Sequence, residues 1–222
     1  MEKNTGIQTL SSKESVLLAR VLVFDMDGTL YQHDGINGGM SGSSLERSIL
    51  ENSKKFIIDT EGCSEAIAES LVGQGLEDEI GISNFLSKRY GITRADYFKV
   101  AWNIDPFGIV KNYEIPVRVV KSLAGEGKRL LLLTAAPKVW QEIVVDFIGL
   151  TGYFQRIFTG EDYGEKKQIF ESLSQKYGAS NVCSIGDQLT TDIIPAREAG
   201  MSTFMVTNPS DLEIITSGVK YE

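Results

Sequence analysis

Five short apolar runs, separated by stretches of helical periodicity, decide most of what this chain can become. VLVF (21–24), RLLLLT (129–134), RIFTG (156–160), NVCSIGD (181–187) and STFMVT (202–207) are apolar through most of their length rather than at alternate positions. Strands buried on both faces read this way, and they belong to parallel sheets covered by helices. The segments between them supply those helices. EIPVRVVKSLAGEG (114–127) has apolar residues at helical spacing, and PKVWQEIVVDFIGL (137–150) opens on a proline suited to a first turn. KKQIFESLSQKYG (166–178) and DIIPAREAG (192–200) both end at glycine. The pattern predicts an α/β fold: a three-layer, Rossmann-like parallel sheet core with helices on both faces.

The rhythm stops after residue 32. GINGGMSGSS (35–44) is a glycine- and serine-rich, hinge-like segment. Apolar-periodic stretches follow at 44–59, 64–72, 77–90 and 93–102, without β-rich runs, and Glu77 and Asp78 stand where a helix would begin. NIDPFG (103–108) reads as the return linker. The expected organisation is a mobile N-terminal tail (1–12), a core built from 13–34 and 108–222, and a helical cap at 35–107. Ligands of open α/β sheets bind at the carboxyl ends of the strands, and a module inserted at that edge can cover them.

Charge narrows the partners. The 222 residues carry a net charge of −8, which argues against nucleic acid or an anionic membrane as the main partner. An anionic substrate would need a local positive charge, from a metal ion or a few placed lysines. Cys63 and Cys183 lie far apart and form neither a disulfide framework nor a zinc pattern. No apolar run is long enough to span a membrane, and the N-terminus MEKNTGIQTLSSKE lacks a signal-peptide core, so the expected location is cytoplasmic. The single histidine, His33, cannot build a histidine-rich metal site. It reads as a solvated loop residue, with a substrate contact as the alternative.

Four groups of residues carry chemistry. Asp25-Met26-Asp27-Gly28-Thr29 puts two carboxylates at the end of a buried strand, on one face by strand alternation, with a turn at Gly28. Burying such charge is costly unless something binds it. The pair can hold Mg²⁺ through hard oxygens, or divide the work of nucleophile and proton carrier. Thr134 ends an apolar strand, and the N–H groups of Ala135 and Ala136 beyond it can hold an anionic oxygen. It also reads as an ordinary strand-end threonine. Lys166 and Lys167 begin a helix, where cations oppose the helix dipole; a ligand or simple solvation accounts for them. Asp187 repeats the geometry of the first pair, and Asp192 reads either as a helix N-cap or as a further acid of the site.

Taken in order, these groups resemble the haloacid dehalogenase-like superfamily in its phosphatase branch. DMDGTL (25–30) matches its D-x-D-G-T-L motif, Thr134 its second motif, Lys166 or Lys167 its third, and GDQLTTD (186–192) its fourth. The insert falls where that superfamily carries a helical cap, and YGITRADYFKVAWNIDP (90–106) is similar to the pyrimidine 5′-nucleotidase-like group. The resemblance implies a Mg²⁺-dependent phosphatase acting on a small phosphorylated metabolite, such as a nucleotide or sugar phosphate. Asp25 would be the nucleophile that forms an aspartyl-phosphate, and Asp27 the general acid and base. The superfamily's dehalogenases lack an acid at that second position. Mg²⁺ would sit among Asp25, the backbone carbonyl of Asp27, and Asp187, with Asp192 in support. Thr134, Ala135, Gly28 and a lysine would hold the phosphate. The family's usual Lys-Pro is replaced here by Lys166-Lys167, and counting back from Ile169-Phe170 favours Lys166. Tyr97, Phe98 and Trp102 line a substrate pocket or form cap core. A monomer or homodimer is expected, with no nucleic acid or membrane partner. The alternatives are a phosphomutase of the same superfamily and a receiver-like phospho-acceptor module. Receivers carry their acceptor aspartate on a later strand and have no helical insert.

Overall fold

The computed structural model describes residues 12–217. Positions 1–11 of the expected tail lie outside the described residues, and residue 12 already opens helix α1 (Ser12–Leu18). Strand β1 (Val21–Phe24) follows and is buried at every position, as a strand must be when both neighbours and both faces are covered.

Four helices come next: α2 (Ser44–Glu61), α3 (Glu65–Glu77), α4 (Gly81–Tyr90) and α5 (Arg94–Ala101). Their starts have local causes. The Ser43 hydroxyl accepts from the N–H of Glu46 at 3.1 Å, and the Thr93 hydroxyl accepts from that of Asp96 at 3.1 Å. The helix expected from 77 begins only at Gly81. Asp78 Oδ1 accepts from the N–H of Ile80 at 3.0 Å, a side-chain turn that holds the chain out of the helix. The four helices pack on one another through buried Ile49, Ile57, Leu71, Leu86 and Tyr97. The chain leaves and re-enters side by side, because Gln32 and Lys111 pair as an antiparallel bridge with N–H···O distances of 2.8 and 3.1 Å.

The rest alternates as the apolar runs require: α6 (Glu114–Gly125), β2 (Arg129–Leu133), α7 (Lys138–Phe147), β3 (Arg156–Phe158), α8 (Lys166–Tyr177), β4 (Val182–Gly186), α9 (Ile194–Glu198), β5 (Ser202–Met205) and α10 (Glu213–Thr216). The five strands are parallel, in the order β3-β2-β1-β4-β5, with Val21 paired to Arg129 on one side and to Val182 on the other. Side chains alternate across the sheet. Leu22, Phe24, Leu130 and Leu132 pack with Val119, Leu123, Trp140 and Val144 of α6 and α7. Val21, Val23, Leu131 and Leu133 pack with Phe170, Leu173 and Ala196 of α8 and α9. These are the three layers expected.

The chain winds outward from β1 through β2 to β3, then crosses back to β4 on the other side. A ligand crevice forms at the carboxyl edge where the winding reverses. This order also overturns the receiver-like alternative, since receivers are built in the order 2-1-3-4-5. Among the described residues, no helix is long and apolar enough to cross a membrane.

Candidate active site

β1, β2 and β4 each end by delivering one polar side chain to the same edge: Asp25, Thr134 and Asp187. The N–H of Asp25 makes the last rung of the sheet, donating to Ile185 O at 2.8 Å. Its carboxylate is only 7% exposed. Lys166 at the first turn of α8 supplies the counter-charge: its Nζ donates to Asp25 Oδ1 and to Asp192 Oδ1, both at 2.6 Å. Burial pushes the Asp25 carboxyl well above the usual range; Lys166 opposes this, while the charges of Asp192 and Asp27 add to it. Burial works against the Lys166 ammonium too, but Asp25 and Asp192 outweigh it and hold the proton more firmly than usual. Lys167, one residue on, is exposed and bonds Glu198 at 2.8 Å. The structure therefore brings Lys166, and not Lys167, to the strand ends.

Asp27 has a separate set of partners. Thr134 Oγ1 donates to Asp27 Oδ2 at 3.1 Å, the Tyr31 hydroxyl donates to Asp27 Oδ1, and His33 Nε2 lies 3.2 Å from the same oxygen. Trp140 Nε1 in turn donates to the Tyr31 hydroxyl at 3.0 Å. Burial would raise the Asp27 pKa, but bonding to His33, Tyr31 and Thr134 outweighs it and leaves the carboxyl below the usual 3.8. Its charge therefore stabilises the fold above pH 3.8, and that contribution is lost as pH falls through the lowered value. Two carboxylates two residues apart thus stand in opposite environments.

His33 corrects the sequence reading. It is 5% exposed rather than solvated, packed edge-on against Tyr31 at 4.9 Å between ring centroids. Tyr31 and Trp140 were not singled out at all. The available signal was the alternate spacing of Tyr31 and His33, which puts them on one side of the extended segment that follows the turn at 28–30. Ala136 does not offer its N–H to a ligand as expected; that group donates to Thr134 Oγ1 at 3.0 Å. Ala135 remains exposed at the edge.

Asp192 does not cap α9, which is preceded by Ile193 without a side-chain cap. It sits instead in a π-turn, Leu189–Ile193, whose extra residue turns the side chain inward. Asp192 Oδ2 accepts from the N–H of Gln188 at 3.0 Å, and a Cβ at Gly186 would stand 2.5 Å from the Asp192 Cβ.

Asp25, Asp187 and Asp192 each offer one oxygen, all within 4.8 Å of one another. Asp187 Oδ1 is buried without a hydrogen-bond partner among the described residues. Burial and the charge of Asp192 push the Asp187 carboxyl up to about 6. An all-oxygen carboxylate set with one unsatisfied buried oxygen fits a hard divalent cation such as Mg²⁺. The Asp27 carboxylate faces Thr134 and His33 and is not part of this cluster.

Gly28 closes the cradle: its φ is +82°, and a Cβ there would come within 2.3 Å of Asp187 Oδ2. Gly28→Ala is therefore expected to cost about 1–3 kcal/mol in urea unfolding and to weaken divalent-cation binding in calorimetric titration. Unchanged binding would show that Asp187 is not a ligand.

Two cavities meet at Asp27, Ala135 and Gln188. One, of about 520 Å³, also touches Asp25 and Lys166. The other, of about 280 Å³, reaches Trp102 and the loop at 37–40. Of the three aromatics left open by the sequence, Trp102 lines this cavity. Tyr97 and Phe98 are core of the inserted helices, with the Tyr97 hydroxyl 2.8 Å from Ser53 Oγ.

Comparison with known proteins agrees with this geometry. A curated relative, the glyceraldehyde 3-phosphate phosphatase of Methanocaldococcus jannaschii, is 24% identical over 83% of this chain and 83% of its own. A second, the phosphoglycolate phosphatase of Aquifex aeolicus, is 23% identical over 87% of this chain and 94% of its own. Among solved structures, a predicted phosphoglycolate phosphatase from Haemophilus somnus 129pt superposes with a TM-score of 0.55 at 18% identity, covering 90% of this chain and 99% of that one, which shows a shared fold. A family model described as haloacid dehalogenase-like hydrolase matches residues 19–200, from before β1 to the end of α9. The chain belongs to the haloacid dehalogenase-like hydrolases.

Proposed function

We propose that this phosphoric monoester hydrolase acts on a small phosphate ester through a covalent phosphoryl group on Asp25. The observation that supports this best is the disjoint partners of Asp25 and Asp27. Asp25 lies with Lys166 and the acid cluster, while Asp27 is held by three hydrogen-bonding side chains on the other side. That separation suits a nucleophile and a proton carrier working side by side.

An oxygen of Asp25 attacks phosphorus as the bond to the ester oxygen breaks, and the leaving oxygen takes a proton from Asp27. Water then attacks the phosphoryl group and gives a proton back to Asp27, and the bond to Asp25 breaks to release phosphate. Before substrate arrives, Asp27 is held ionised; as the ester binds it takes up from solvent the proton that it then donates, because a phosphoryl dianion beside it raises its affinity for a proton. The Thr134 hydroxyl and the Lys166 ammonium hold phosphoryl oxygens, each well-placed donor being worth about 3 kcal/mol in the transition state. Asp25, Asp187 and the backbone carbonyl of Asp27 would hold Mg²⁺, with Asp192 bracing the cluster. Bound there, Mg²⁺ would keep the acids ionised and neutralise phosphoryl charge. In this reading residues 35–107 act as the cap, with 35–44 and 103–108 as hinges, because Trp102 and the loop at 37–40 line the cavity beside Asp27.

The test is release of inorganic phosphate from a panel of phosphate esters with Mg²⁺ and with chelator. Metal-dependent release is expected. An isomerised sugar phosphate without free phosphate would instead establish the phosphomutase. A pH series adds a sign. Metal binding requires ionised carboxylates, and Asp187 holds its proton up to about pH 6. The Mg²⁺ concentration for half-activation should therefore fall as pH rises from about 5 to 7 and level off above. A flat profile would remove Asp187 from the metal site.

A further inference from the structure

The smaller cavity places a charge condition on the substrate. Both cavities touch Asp27, the proposed proton donor to the leaving oxygen; the larger also holds Asp25 and Lys166 of the phosphoryl end, which leaves the smaller, running to Trp102 and Met40, as the side for the leaving group. Its volume of about 280 Å³ lies just below the roughly 300–1,000 Å³ of pockets for drug-sized ligands. Among the described residues, no lysine or arginine lines it. Its charged members are acids, Asp27 and Asp187, and its histidine is turned to Asp27 at 3.2 Å. The remaining polar side chains, Gln32, Asn37, Gln188 and Thr207, are neutral groups able to bond hydroxyls. Lys166 and Lys167 line the other cavity, where Lys166 is bound by Asp25 and Asp192 and Lys167 by Glu198.

We infer that the enzyme selects phosphate esters whose leaving group is small, hydroxylated and uncharged, and discriminates against leaving groups that carry a carboxylate or a second phosphate. A carboxylate in this cavity would be partly desolvated with no lysine or arginine beside it, the proposed Mg²⁺ being already matched by Asp25, Asp187 and the phosphoryl group, and such an unpaired charge is a device against a wrong ligand. The inference rests on the phosphatase reading of the same site.

Glycerol 3-phosphate and 3-phosphoglycerate test it, because they differ chiefly in a hydroxymethyl group replaced by a carboxylate. p-Nitrophenyl phosphate serves as the general ester, all with Mg²⁺. Glycerol 3-phosphate should be preferred in kcat/KM by at least about tenfold, the factor for one 1.4 kcal/mol increment. Hydrolysis of p-nitrophenyl phosphate with 3-phosphoglycerate turned over as well as, or better than, glycerol 3-phosphate would overturn the charge condition and leave the phosphatase reading standing. No release from any of the three would overturn the phosphatase reading and this inference with it. A second measurement locates the condition: Met40→Lys brings a cation to the cavity rim and should shift the ratio toward 3-phosphoglycerate by about tenfold. An unchanged ratio would show that the leaving group does not occupy this cavity.

Discussion

An Asp25→Asn protein should fold normally and release no measurable phosphate. The amide keeps the size and much of the hydrogen bonding of the carboxylate but cannot serve as the attacking oxygen. In enzymes whose reaction passes through a covalent intermediate, removing the nucleophile costs on the order of 10⁴–10⁶ in turnover. Folding should survive because Lys166 retains Asp192 at 2.6 Å, and the strand bond from the Asp25 N–H to Ile185 is a backbone contact. Phosphate release, together with mass spectrometry of acid-quenched protein during turnover, separates the two roles. The native chain should carry a trapped phosphoryl group and the variant none. Activity within about tenfold of native in the variant would end the assignment of Asp25 as nucleophile.

Lys166→Met should be the most destabilising change in the site. Methionine keeps the length and most of the volume, but Asp25 and Asp192 lose their cation while each is at most 7% exposed. Removing one partner of a buried ion pair costs about 3–5 kcal/mol, chiefly because the remaining charge is left uncompensated. The sign with pH follows from the carboxylates. Burial already raises the Asp25 pKa, and without Lys166 it rises further. The loss should therefore be largest at neutral pH and shrink toward pH 5, as a carboxyl accepts a proton. Urea unfolding at the two pH values reads this directly, and added Mg²⁺ should recover part of the loss. Turnover should fall by about 10²–10³ through the missing phosphoryl contact. A variant as stable as the native chain at neutral pH would mean that the pair of 2.6 Å contacts carries little energy.

Residues differed in how far their roles could be read in advance. β1, β2 and β4 announce themselves because parallel central strands are apolar on both faces, and a polar residue that ends such a run must lie at the sheet edge. That is why Asp25, Thr134 and Asp187 were found together. Lys166 and Lys167 are chemically identical neighbours, and only the direction of α8 separates them, turning one inward and the other to Glu198. The inward turn of Asp192 depends on an inserted residue in the π-turn, which helical periodicity does not register. His33 looked solvated because its cover comes from elsewhere: Tyr31, Trp140 on α7, and the cavity wall. Burial by partners a hundred positions away leaves no local trace.

The pairing of Gln32 with Lys111 has a consequence for how such a chain can change. Opposed residues of an antiparallel pair have Cα atoms about 5 Å apart, a gap that a turn of two residues can close. Everything between the two positions therefore hangs from a single stem, closed by its own pair of backbone hydrogen bonds. A loop, a different set of helices or a longer domain could be grafted there while Asp25, Thr134 and Asp187 kept their places. Under the proposed function, selectivity and chemistry would then be separately inheritable, and one reaction could be passed among many metabolites by exchanging what the stem carries.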